Sequence, residues 1–118
     1  MGLFQSFFSP RGGSQIPGVN AAELNELLQS GDDFLMVDVR SPAEYAHDGH
    51  IEGAQLIPLQ ELFHHPDELS KDKEIVFVCR SGNRSMVACQ QMAQLGYKVK
   101  NFNGGMIAWQ MAGMPVKR

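Results

Sequence analysis

The chain has 118 residues, enough for one domain with a single core and too few for two ordinary ones. Its 43% hydrophobic and 19% charged residues, with 12 Gly and 6 Pro, exclude global disorder and fibrous repeats. Ten Lys and Arg against 13 Asp and Glu give a formal charge of -3. That balance argues against a general nucleic-acid binder, so any anion site must come from local positive charge.

The two cysteines, Cys79 and Cys89, are separated by a loop and a helical stretch, which resembles neither a disulfide framework nor a zinc pattern. A reducing, cytoplasmic setting is the expectation. No apolar segment approaches the roughly 20 residues that a bilayer span needs. The start, Met1 to Phe8, lacks a basic region and a cleavage site and reads poorly as a secretory signal. It fits the loose Met-Gly-x-x-x-Ser acylation pattern, which is short and means nothing without the transferase. Leu3, Phe4, Phe7 and Phe8 would form one apolar face on a helical turn. Docking of that face on the domain is favoured over an interfacial anchor or a membrane contact. Pro10 to Ser14 reads as a linker, so residues 1–14 form an extension and residues 15–118 the domain.

Ile16 to Val19 is predicted as a short edge strand, because Pro17 lacks an N–H. Asn20 with Glu23 makes a capping box for a helix carrying Leu24, Leu27 and Leu28, and Gly31 stops it. Phe34 to Val39 is a continuous apolar run, as expected of a strand buried on both faces. Asp38 and Arg40 at its end read as a scaffold ion pair rather than catalytic groups. Ser41-Pro42-Ala43-Glu44 starts a helix that should reach about His47. His50, between Gly49 and Gly53, reads as a loop hydrogen-bonder rather than a general base. Gln55 to Pro58 gives a short strand and Leu59 to Phe63 a turn or two of helix, broken at His64-His65-Pro66. Adjacent histidines diverge on a helix, so no metal pair is expected.

A charged turn, Lys71 to Glu74, precedes the central strand Ile75 to Val78, which ends in Cys79. A helix from about Asn83 to Leu95 carries Ala88, Cys89, Met92 and Leu95 inward, and Cys89 reads as a small buried side chain rather than a resolving thiol. Val99 to Phe102 makes a fifth strand. Asn103-Gly104-Gly105 then turns into a last helix, Met106 to about Met111, which holds Trp109. Strands and helices alternating with short connections imply an α/β fold, a mostly parallel sheet of five strands with helices on both faces. Ligands of such sheets sit beyond the carboxyl ends of the strands, where Cys79 falls.

A thiol between a strand and a helix faces backbone N–H groups that lack intrahelical partners, and these favour thiolate. Should residues 79–84 curl into a cradle, Gly82 permits the tight turn, Ser81 and Ser85 offer hydroxyls, and Arg80 and Arg84 can grip an oxyanion. The chain resembles a single-domain rhodanese from Gln15 to Arg118. The likeness rests on Asp38-Val39-Arg40 with Glu44-Tyr45, Gly49-His50-Ile51 with Gly53-Ala54, the Cys-x-x-Gly-x-Arg loop at Cys79 to Arg84, and Gly104-Gly105 with Ala108-Trp109 and Gly113-Met114-Pro115.

That resemblance implies a three-layer rhodanese-like fold and a sulfurtransferase. Cys79 would take a sulfane sulfur from a small anionic donor such as thiosulfate, hold it as a persulfide, and pass it to cyanide or to a small or protein thiol. Arg80, Ser81, Gly82, Asn83 and Arg84 would bind the donor, and no metal or organic cofactor is implied. Phosphatases and arsenate reductases on the same fold carry a loop resembling Cys-x5-Arg, one residue longer than here. A smaller cradle suits a sulfur atom, and a tetrahedral phosphate needs more room. The non-enzymatic alternative is an interaction module, against which the presence of the cysteine argues.

Overall fold

Continuous apolar strands between amphipathic helices decide the architecture of residues 16–118, which the computed structural model describes. The chain runs through β1 (Gly18–Val19), α1 (Ala21–Ser30), β2 (Phe34–Asp38), α2 (Pro42–His47), β3 (Gln55–Leu56) and α3 (Leu59–His64). A 3-10 turn, Pro66–Glu68, leads to β4 (Glu74–Val78), α4 (Asn83–Gln94), β5 (Lys98–Phe102) and α5 (Gly105–Met111). All pairings among the five strands are parallel, in the order β1-β5-β4-β2-β3. The expected Phe-rich face and the boundary near residue 15 lie outside the described residues.

On β2 and β4, Val37, Val39, Ile75, Phe77 and Cys79 point to one face and join Ala88, Cys89 and Met92 of α4 and Leu62 of α3. Met36, Val76 and Val78 point to the other, against Leu24 of α1 and Met106 and Trp109 of α5. Two cores therefore clamp one sheet, as its continuous apolar strands require. Each fully buried Val, Ile, Leu or Phe side chain contributes about 1.5–3 kcal/mol.

Local signals set the helix starts. Asn20 Oδ1 accepts from Glu23 N at 2.8 Å while Glu23 Oε1 accepts from Asn20 N at 2.9 Å, a complete capping box. Ser41 and Glu44 repeat the arrangement at α2. The first strand is shorter than expected, two residues, because Pro17 cannot donate to the ladder and β1 begins only after it. The last helix begins one residue earlier than expected, at Gly105. Leu95, expected to point inward, is instead exposed, because the helix ends at Gln94 and Leu95 caps it outside the apolar stripe. His50 stacks on the Tyr45 ring at 3.6 Å and its Nδ1 lies 2.9 Å from the Tyr45 carbonyl, in the loop role.

Strand order places the thiol. From β2 the chain moves outward to β3 at one edge, whereas from β4 it moves to β5 on the opposite side. The order reverses between β2 and β4, so their carboxyl ends flank the crevice where such sheets bind ligands. Cys79 follows β4 there, beside the Asp38 to Glu44 exit of β2.

Candidate active site

Cys79 is fully buried, and its Sγ sits inside a ring of donors formed by the residues after β4. Gly82 N–H approaches Sγ at 3.1 Å and Ser85 N–H at 3.3 Å, with Ser85 Oγ also at 3.3 Å. Burial pushes the thiol pKa up. The Ser85 hydroxyl and the N–H groups of Ser85, Gly82 and Ser81 outweigh it, so the net effect is a lowered pKa. A thiolate within this ring is stabilised by dipoles already in place.

The inward N–H groups require outward carbonyls, and those are held by other elements. Met106 N–H donates to the Cys79 carbonyl at 2.9 Å and Ile107 N–H to that of Arg80 at 3.0 Å, so the first turn of α5 braces the loop. Asn101 Nδ2, at the end of β5, donates to the Gly82 carbonyl at 3.2 Å and to Asn103 Oδ1 at 2.8 Å. Gly82 has φ +101, and a Cβ there would lie 2.0 Å from the Asn103 carbonyl oxygen. A side chain on Gly105, with φ +61, would meet the Arg80 carbonyl at 2.4 Å. Both glycines let backbone approach backbone where no side chain fits.

The remaining candidates separate. Ser81 and Asn83 are exposed on the loop. Arg80, also exposed, lines a cleft of about 320 Å³ with Arg40, His47, Gln110 and Arg118, a set that includes none of residues 81–85. Arg84 does not stand open toward an anion as expected. Its Nη1 and Nη2 fork onto Glu44 Oε1 and Oε2 at 2.8 Å each. The guanidinium holds the Glu44 carboxyl down at about 2, chiefly through these hydrogen bonds.

Asp38 and Arg40 form a fully buried ion pair. Arg40 Nε donates to Asp38 Oδ1 at 2.9 Å and Nη2 to Oδ2 at 2.8 Å, while Nη2 also reaches the Gly49 carbonyl at 2.9 Å. The pair ties the β2 exit to the loop before β3. Cys89 lies in the same core as Cys79, and burial, with the charge of Cys79 second, pushes its thiol up to about 12. Sequence reasoning noticed Ser85 only as a hydroxyl. It missed Asn101 and the α5 N-terminus as braces, and it missed Glu44 as the partner of Arg84.

One measurement checks the donor ring. Thiolate ultraviolet absorbance should titrate at a lower pH than for an ordinary thiol, and Ser85→Ala should move the midpoint upward by removing a bond to the charged form. An unchanged midpoint would show that the hydroxyl contributes nothing to the thiolate.

Comparison with known proteins follows the same loop and sheet. Residues 20–112 match the family model described as the Rhodanese-like domain. The chain is 39% identical over 99 residues to a sulfurtransferase of Allochromatium vinosum, covering 83% of this chain and 92% of that one. It is 30% identical over 129 residues to thiosulfate sulfurtransferase 18 of Arabidopsis thaliana, covering 97% and 93%. Among solved structures, a Rhodopseudomonas palustris protein of unknown function, described as a possible tyrosine phosphatase, superposes with a TM-score of 0.81 at 31% identity, covering 92% of this chain and 96% of that one.

Proposed function

Because the chain belongs to the rhodanese-like family, whose relatives here include named sulfurtransferases, we propose that it moves a sulfane sulfur through a persulfide on Cys79. The observation that carries this reading is the Cys79 Sγ held by the Gly82 and Ser85 N–H groups at the end of the central strand. Thiolate Sγ attacks the outer sulfur of a donor such as thiosulfate. A new S–S bond forms to Cys79, the donor's S–S bond breaks, and sulfite leaves with the bonding pair. An acceptor thiolate or cyanide then attacks the outer persulfide sulfur, and Cys79 thiolate departs. The two steps are redox-neutral overall and use no cofactor.

The same donors serve both stages, first holding the thiolate and then the negative charge that moves onto the outer sulfur. Ser81 and Asn83 are exposed groups available to the donor's anionic end, whereas Arg80 lines the adjoining cleft. Since the thiol is fully covered, loading requires the covering groups to part.

A phosphatase reading has one observation in its favour, the description of the Rhodopseudomonas palustris protein. Against it stand the four-residue spacing between Cys79 and Arg84 and the engagement of Arg84 by Glu44. Intact mass after thiosulfate treatment should show one added sulfur atom that cyanide removes. Absence of that adduct, together with turnover of a generic phosphate ester, would replace this proposal with the phosphatase.

A further inference from the structure

Arg84 occupies the first turn of α4, next to Ser85, whose N–H and Oγ both touch the Cys79 sulfur. Its guanidinium has five N–H donors, and two of them are taken by the Glu44 fork. Glu44 Oε1 is held in turn by Ser41 N at 3.1 Å and Ser41 Oγ at 3.2 Å. Oε1 thus accepts three hydrogen bonds and Oε2 one, which fixes the carboxylate in position. It belongs to α2, across the reversal point of the sheet, so the contact joins the helices that follow β2 and β4. The side chains retain 41% and 24% exposure, which leaves the pair at the surface of the site and accessible to a ligand.

Charge around the loop follows from these contacts. The buried Arg40 is paired with Asp38, and Arg80 lines the separate cleft. Arg84 is therefore the loop cation whose charge would bear on a donor beside Ser85, and Glu44 balances it. A dianion entering the cradle meets a neutral pair with a fixed carboxylate at its edge. A donor carrying one charge meets the same N–H groups at about half that opposing cost, and an uncharged donor at none.

We propose that Glu44 is a specificity-determining residue: by closing Arg84 into the fork it selects sulfur donors whose reacting group carries at most one negative charge, such as the hydropersulfides of uncharged thiols, over dianions such as thiosulfate. The proposal rests on the sulfurtransferase reading for its substrates. Its test does not, because anion binding can be read without any sulfur transfer.

Sulfate, a dianion of thiosulfate's shape, is the probe, and its affinity is taken from the shifts of the Gly82 and Ser85 amide signals in an NMR titration. Glu44→Gln keeps a residue compatible with the capping box and removes the charge. It should bind sulfate about two- to fivefold more tightly, the range expected of a partly exposed charge. Unchanged or weaker binding overturns the proposal. The double variant Glu44→Gln with Arg84→Met removes both charges together, which is tolerated better than removing one. Its sulfate affinity should fall back to within about twofold of the unsubstituted protein. Binding well below that level would mean that Arg84 already serves the anion despite the fork, which also overturns the proposal. The double variant decides the matter even where the single one does not fold. A protein that shows these shifts yet takes up no sulfur would count against the sulfurtransferase reading and leave the role of Glu44 in anion selection standing.

Discussion

Replacing Cys79 with serine is expected to abolish sulfur loading and to lower thiocyanate formation from thiosulfate and cyanide by about a thousandfold or more, as for loss of other covalent nucleophiles. The reason is chemical and specific. A serine hydroxyl is barely ionised at neutral pH, and its oxygen does not form a stable bond to a sulfane sulfur. The fold should survive, since an oxygen at this position can still accept from Gly82 and Ser85 N–H. Circular dichroism melts should therefore stay close to those of the unsubstituted protein while the mass adduct disappears. A serine variant that still gains sulfur would move the acceptor elsewhere. Cys89 would then be the only other thiol, and its burial and raised pKa make it a poor nucleophile.

Asp38→Ala should be the most destabilising of the simple substitutions. It leaves the Arg40 guanidinium buried with only the Gly49 carbonyl for a partner, and breaking a buried pair from one side costs about 3–5 kcal/mol. Against a total stability of about 5–15 kcal/mol, that loss is between a fifth and the whole of the margin. Removing both charges with Arg40→Met should recover most of the loss, because an apolar side chain of similar length is easily buried. Urea unfolding of the two single variants and the double variant measures the coupling. A loss below about 1 kcal/mol for Asp38→Ala would show that the pair is solvated in solution.

The central strands were legible because they are continuous runs, Phe34 to Val39 and Ile75 to Val78, bounded by charged or Pro-containing segments. The boundaries of α1 and α2 followed from capping boxes, which are local and depend on spacing alone. The braces of the thiol loop were not legible. Asn101, Met106 and Ile107 reach residues 79–82 only because β5 lies directly beside β4, and strand order is a product of the whole chain. Glu44 was concealed for the opposite reason. Its helix-capping role accounted for it fully, and nothing nearby in the sequence pointed to a second partner forty positions on. The exposed loop residues Ser81 and Asn83 carry no such long-range signal at all.

The hydrogen bonds from Met106 and Ile107 to the Cys79 and Arg80 carbonyls bear on the life of the protein before it is finished. Synthesis delivers the thiol well ahead of α5. Until Ile107 has been added and that first turn has wound, the loop carbonyls are free to swing inward, and the sulfur faces no organised donors. An unfinished chain therefore lacks the ring that lowers the Cys79 pKa, and that ring forms only with a completed core.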